Sequence, residues 1–100
     1  MHTSLSIVIP CFNEVENIPK MKDELLPVLT KLAAEYSVQV VFVDDGSSDG
    51  TLDAFKGAFS SGLLPNIDFT YLQHTDNMGL GAAMRTGLKA CQGSLIINTD

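Results

Sequence analysis

Basic residues are scarce in this chain, with six Lys and Arg set against twelve Asp and Glu for a formal charge of −6. Binding to a nucleic-acid backbone needs clustered cations, and the few here are scattered, which argues against a nucleic-acid partner. A phosphorylated ligand would need a divalent cation beside these carboxylates. Cysteine is nearly missing as well. Cys11 and Cys91 do not make a disulfide framework, so a reducing cytoplasm is the simplest setting. The first apolar stretch is only Leu5 to Ile9, with no basic region before it, so neither a signal peptide nor a membrane span is expected. Linkers, repeats and low-complexity tracts are also lacking. What remains is one globular domain over residues 1–100, with 45% hydrophobic and 18% charged residues.

The apolar residues that are present alternate between strand and helix patterns. Leu5 to Ile9 reads as a strand closed by Pro10, which cannot continue a central ladder. Ile18, Met21, Leu25, Leu29, Leu32 and Tyr36 recur at helical spacing from near Asn17. Pro19 suits the first turn of that helix, and Pro27 should kink or divide it. The run from Val38 to Val43 is rich in β-branched residues and does not alternate, as in a parallel strand buried on both faces. Thr51 to Phe59 reads as a short helix with Leu52, Phe55 and Phe59 inward and Asp49 as a candidate cap. After a loop at 60–65, alternating Ile67, Phe69 and Tyr71 mark a third strand near the sheet edge.

The third helix spans Gly79 to Cys91 and carries two stripes. One is apolar (Leu80, Met84, Leu88, Cys91), and the other is small (Gly79, Ala83, Gly87, Ala90) and allows close approach to its neighbours. Ser94 to Asn98 begins a fourth strand. This succession predicts an α/β fold, a three-layer α/β/α arrangement on a mostly parallel sheet with right-handed crossovers. With the third strand outermost the order is 3-2-1-4. The chain then reverses direction between strands 1 and 4, which is where a ligand crevice belongs. Strand 4 is an exposed edge that invites pairing with another copy, so self-association is expected.

Three polar segments fall at strand ends around that crevice. Pro10-Cys11-Phe12-Asn13-Glu14 follows the first strand, and Asn98-Thr99-Asp100 follows the fourth. Between them, Asp44 to Thr51 packs three carboxylates and two glycines into eight residues after the second strand. An acidic turn in that place meets a cation, a ribose or base edge, or a metal-bridged phosphate. Each segment alone could be only a turn or a helix cap. Together they mark a site.

In order and approximate spacing, these segments and Asn77-x-Gly79-x-Gly81-Ala82-Ala83 resemble glycosyltransferase family 2 from end to end of the chain. The pattern is most similar to the dolichyl-phosphate (polyprenyl-phosphate) mannosyl- or glucosyltransferase branch, of GT-A fold with a Rossmann-like nucleotide-binding half. The resemblance implies a nucleotide-sugar donor such as GDP-mannose or a UDP-sugar, and an acceptor that is a polyprenyl phosphate. Pro10, Phe12 and Glu14 would line the nucleoside, with Phe12 against the base or ribose where the family often has Tyr. Val43 and Asp45 would contact the base, while Asp44 orients the turn. Asp100 would be the first carboxylate of an Asp-x-Asp motif that holds Mg²⁺ or Mn²⁺ against the donor diphosphate. The second carboxylate would stand two residues further on, and the acceptor-binding half would also lie beyond. The chain is therefore expected to be a donor-binding domain, inactive alone, from an enzyme working at the cytoplasmic face of a membrane.

Other readings are weaker on the residues themselves. Gly79-Leu80-Gly81-Ala82-Ala83-Met84 follows the third strand instead of the first, which disfavours a dinucleotide fingerprint. A calcium loop starting at Asp45 would have Lys56 where a Glu is required. Cys11 has no His close in sequence to activate it as a nucleophile. Arg85 could touch a phosphate or simply face solvent. A non-catalytic nucleotide-binding module, or a phosphoacceptor signalling domain, is the alternative of another class. The latter should carry its acidic pair after the first strand.

Overall fold

The computed structural model describes residues 3–59 and 66–98; the expected loop at 60–65 and Asp100 lie outside them. Four parallel strands, β1 (Thr3–Cys11), β2 (Tyr36–Asp44), β3 (Ile67–Gln73) and β4 (Leu95–Asn98), form one sheet in the order β3-β2-β1-β4. Helices α1 (Ile18–Ala33), α2 (Thr51–Ala58) and α3 (Leu80–Ala90) make the crossovers. Both the three-layer arrangement and the strand order match the sequence reading.

One face of the sheet is built by volume. Ile7, Ile9, Val40 and Phe42 point toward α1 and α2, where they meet Leu29, Phe55 and Phe59. The Phe42 and Phe55 rings stack with centroids 3.8 Å apart, and Phe55 and Phe59 with 4.6 Å. Burying each such side chain contributes about 1.5–3 kcal/mol.

The opposite face is built by proximity. There Val41 and Val43 meet Ala83 of α3, and Gly87 lies so close that an added Cβ would collide with Val8 Cγ1. The small-residue stripe therefore takes the sheet, as expected. Leu80 and Leu88 of the apolar stripe stay 53% and 39% exposed. Polar groups fix the far end of α3. Gln39 Nε2 donates to the Ala90 carbonyl at 3.1 Å, and Gln39 Oε1 accepts from Ser6 Oγ at 2.7 Å and from the Gln92 N–H at 2.9 Å.

Two proline expectations are corrected. Pro27 does not divide α1, which runs unbroken past it. Its ring sits on the exposed side, so the carbonyl it strands at Asp23 faces water. Pro10 does not close β1 either, and it pairs in register with Val43. Among the described residues β4 pairs with β1 from Leu5 to Val8 and is an edge strand, with Leu95, Ile96 and Ile97 each 42–47% exposed.

Candidate functional site

Parallel register aligns Cys11 with Asp44 and Asp44 with Gln73, so β1, β2 and β3 end level with one another. The loops that follow are neighbours, and their polar groups brace each other. Asn13 adopts a left-handed φ of 51°, a conformation that Asn tolerates better than most residues. In this pose its N–H donates to Ser47 Oγ at 2.8 Å, and its Oδ1 accepts from the Ser48 N–H at 3.0 Å. The Glu14 N–H donates to Thr51 Oγ1 at 2.9 Å, and the Asp45 N–H donates to the Cys11 carbonyl at 2.8 Å. Asp49 completes this side by accepting from the Val15 N–H and from the N–H and hydroxyl of Thr51. The Thr51 hydroxyl is the main cause holding the Asp49 carboxyl below its ordinary range.

On its other side the acidic turn grips the loop between β3 and α3. The Asp45 carboxylate has no exposed surface. Its Oδ1 accepts from His74 Nδ1 at 2.7 Å and the Met78 N–H at 3.0 Å, and its Oδ2 from the Gly79 N–H at 2.8 Å and Asn77 Nδ2 at 3.2 Å. Burial alone would raise this carboxyl, but those donors outweigh it and hold the group below its usual range. Asp44 is also sealed, accepting from the Ser47 N–H at 3.0 Å and from Gln73 Nε2 at 3.1 Å. Gly46, at φ 77°, touches the same loop. An added Cβ would lie 2.5 Å from Asn77 N, so only glycine fits.

The expected residues separate into two groups. Pro10 and Glu14 line a groove of about 430 Å³ whose floor is Ile9, Met21 and Leu25. Phe12 stands 39% exposed on the loop nearby. Val43 and Asp45 are fully buried, Val43 against α3 and Asp45 beneath the loops. Direct contact between the Asp45 carboxylate and a base would require the 77–79 segment to release it. Asp100 lies outside the described residues. Arg85 is exposed. Burial, followed by the charges of Glu14 and Asp44, pushes the Cys11 thiol up to about 12. That thiol stays protonated and is no nucleophile.

Two residues that carry much of this bracing have no assigned role in the sequence reading, Asn13 and His74. His74 follows an edge strand, which by itself does not mark a site. The signal that would have found it is register: once Asp44 aligns with Gln73, the next residues along both chains are Asp45 and His74.

Comparison with known proteins gives this geometry a family. Residues 6–100 match the family described as Glycosyl transferase family 2. The chain is 35% identical over 100 residues to a human dolichyl-phosphate beta-glucosyltransferase, covering 96% of the chain and 30% of that protein. It is 32% identical over 96 residues to an undecaprenyl-phosphate 4-deoxy-4-formamido-L-arabinose transferase of Pseudomonas fluorescens, covering 96% of the chain and 27% of that protein. Among solved structures, the fold is similar to a mannosyltransferase from Pyrobaculum calidifontis in complex with GDP-Man and Mn²⁺ (TM-score 0.74, 23% identity). That match covers 96% of the chain and 26% of the mannosyltransferase. The chain thus spans under a third of the length of these relatives. Among the described residues no helix is long and apolar enough to cross a membrane. By the match over nearly its whole length, the chain belongs to glycosyltransferase family 2.

Proposed function

We propose that this chain is the donor-binding part of a sugar transferase that takes a nucleotide sugar, with a divalent cation, and serves a polyprenyl-phosphate acceptor. The observation that carries this reading is the mutual bracing of the loops after β1 and β2 beside the point where the strand order reverses. Rigid loops there present one fixed surface to a nucleotide instead of ordering it on binding, which lowers the entropic cost of association. Pro10, Phe12 and Glu14 would form the nucleoside wall, with Phe12 offering an exposed ring for the base or ribose. Val43 and Asp45 would act from beneath, by holding that wall in place. The similarity to polyprenyl-phosphate transferases supports the acceptor class, which would put the reaction at a membrane surface.

The cation would take few ligands from the chain itself. Among the described residues no three acidic, His or Cys side chains converge as a metal cage. Mg²⁺ and Mn²⁺ are commonly held by one or two carboxylates together with substrate phosphates. Asp100 would supply such a carboxylate. When bound, the ion would neutralise charge developing on the departing diphosphate.

Calorimetric titration of the chain with GDP-mannose, GDP and UDP-glucose, with and without Mn²⁺, tests the reading. One nucleotide class should bind, more tightly with the metal. Phe12→Ala should weaken it roughly tenfold or more, the scale of one lost stacking contact. Absence of binding to every nucleotide at millimolar concentration would refute the proposal.

A further inference from the structure

His74 ties the end of β3 to the acidic turn after β2 and to α3. Its backbone N–H donates to the Asp44 carbonyl at 2.8 Å, and its ring is only 11% exposed. Nδ1 lies 2.7 Å from Asp45 Oδ1, and Nε2 lies 2.8 Å from Thr86 Oγ1 on α3. An ionised carboxylate can only accept, so Nδ1 carries the proton in this pair. The same Oδ1 accepts from the Met78 N–H, while Oδ2 holds the Gly79 N–H. Without the imidazole, the carboxylate loses one of its four donors, and the Met78 and Gly79 N–H groups depend on how the carboxylate is then oriented.

The consequence reaches the nucleoside wall by contact. Gly46 rests on the Asp76–Asn77 backbone with no room for a methyl group, so the 76–79 loop and the acidic turn move as one. The turn in turn holds Asn13 through Ser47 and Ser48, and Asn13 neighbours Phe12. We propose that His74 is a positioning residue for nucleotide binding, acting through Asp45 to set the loop at the start of α3 and, through Gly46 and Asn13, the wall that carries Phe12. This rests on the nucleotide-binding reading above.

Three substitutions separate the two ring contacts. His74→Asn places an amide nitrogen near the position of Nδ1 and keeps the Asp45 bond, while His74→Gln reaches toward Thr86 in place of Nε2. His74→Phe keeps the ring and loses both bonds. Nucleotide affinity in Mn²⁺ should stay within about threefold for His74→Asn and fall about tenfold for His74→Gln and His74→Phe, the scale of one charge-assisted hydrogen bond. Hydrogen exchange at the Met78 and Gly79 amides should accelerate in the latter two only. Equal affinity in all four proteins, or His74→Asn as weak as His74→Phe, would overturn the proposal. If the wild-type chain binds no nucleotide, the functional reading falls and the proposal with it. The exchange pattern distinguishes that outcome from a clamp that was never there.

Discussion

The two faces of this sheet are held by different physics. Toward α1 and α2, stacked Phe42, Phe55 and Phe59 fill space with large side chains. Toward α3, the contact is thin and tight, with Ala83 and Gly87 against Val8, Val41 and Val43, and the helix ends are fixed by hydrogen bonds at Gly79 and Ala90. The first face gains its stability from buried area, which tolerates small shifts. The second depends on spacing and on polar partners, which do not. The loops of the candidate site lean on the second face, since α3 begins where Asp45 holds Met78 and Gly79.

Substitutions on each face should expose this difference. Phe55→Ala leaves a cavity among three aromatic rings and should cost about 3–5 kcal/mol in urea unfolding. Gly87→Ala adds one methyl group where none fits and should cost about 1–3 kcal/mol. Acid should act on the loop side next. Asp45 and Asp49 are both held below their ordinary value of 3.8, so their stabilisation is present above that pH and lost as pH falls through the depressed folded values. The urea midpoint should therefore drop below about pH 4, and less so in Asp45→Asn. Gly57→Ala is the control for Gly87, because nothing lies within 4 Å of the added methyl group. It should stabilise by about 0.5–1 kcal/mol through helix propensity. If both glycine substitutions moved stability in the same direction, the contrast between the faces would fail. The smallest effect on stability is expected at the sheet edge. Ile96→Lys should change it by no more than about 0.5 kcal/mol, yet suppress the self-association at high concentration that light scattering should detect in the wild type.

The strands, helices and sheet order were legible because they rest on periodicity and on the rules for parallel connections. Non-alternating Val40 to Val43 could only be a doubly buried strand. Pro10 misled because β1 keeps its register with β2 through Cys11, and Pro27 because the carbonyl it strands at Asp23 can bond to water. The second depends on which side of α1 faces water. The site was legible as a set of segments, but less so as individual roles. Asp45 stands out in the sequence as a free carboxylate at a strand end, whereas in the fold its four donors come from residues 74–79, about thirty positions away. Nothing local to Asp45 announces them.

The placement of β1 between β2 and β4 has a consequence for how the chain assembles. The Ser94 N–H donates to the Ser4 carbonyl at 3.1 Å, so the first strand gains its second neighbour only when β4 arrives. A contact between residues ninety positions apart must be closed late, after its loop entropy has been offset by pairing elsewhere. During synthesis β1 leaves the ribosome early with one edge unsatisfied, and it stays exposed to unintended partners until Leu95 to Asn98 follow.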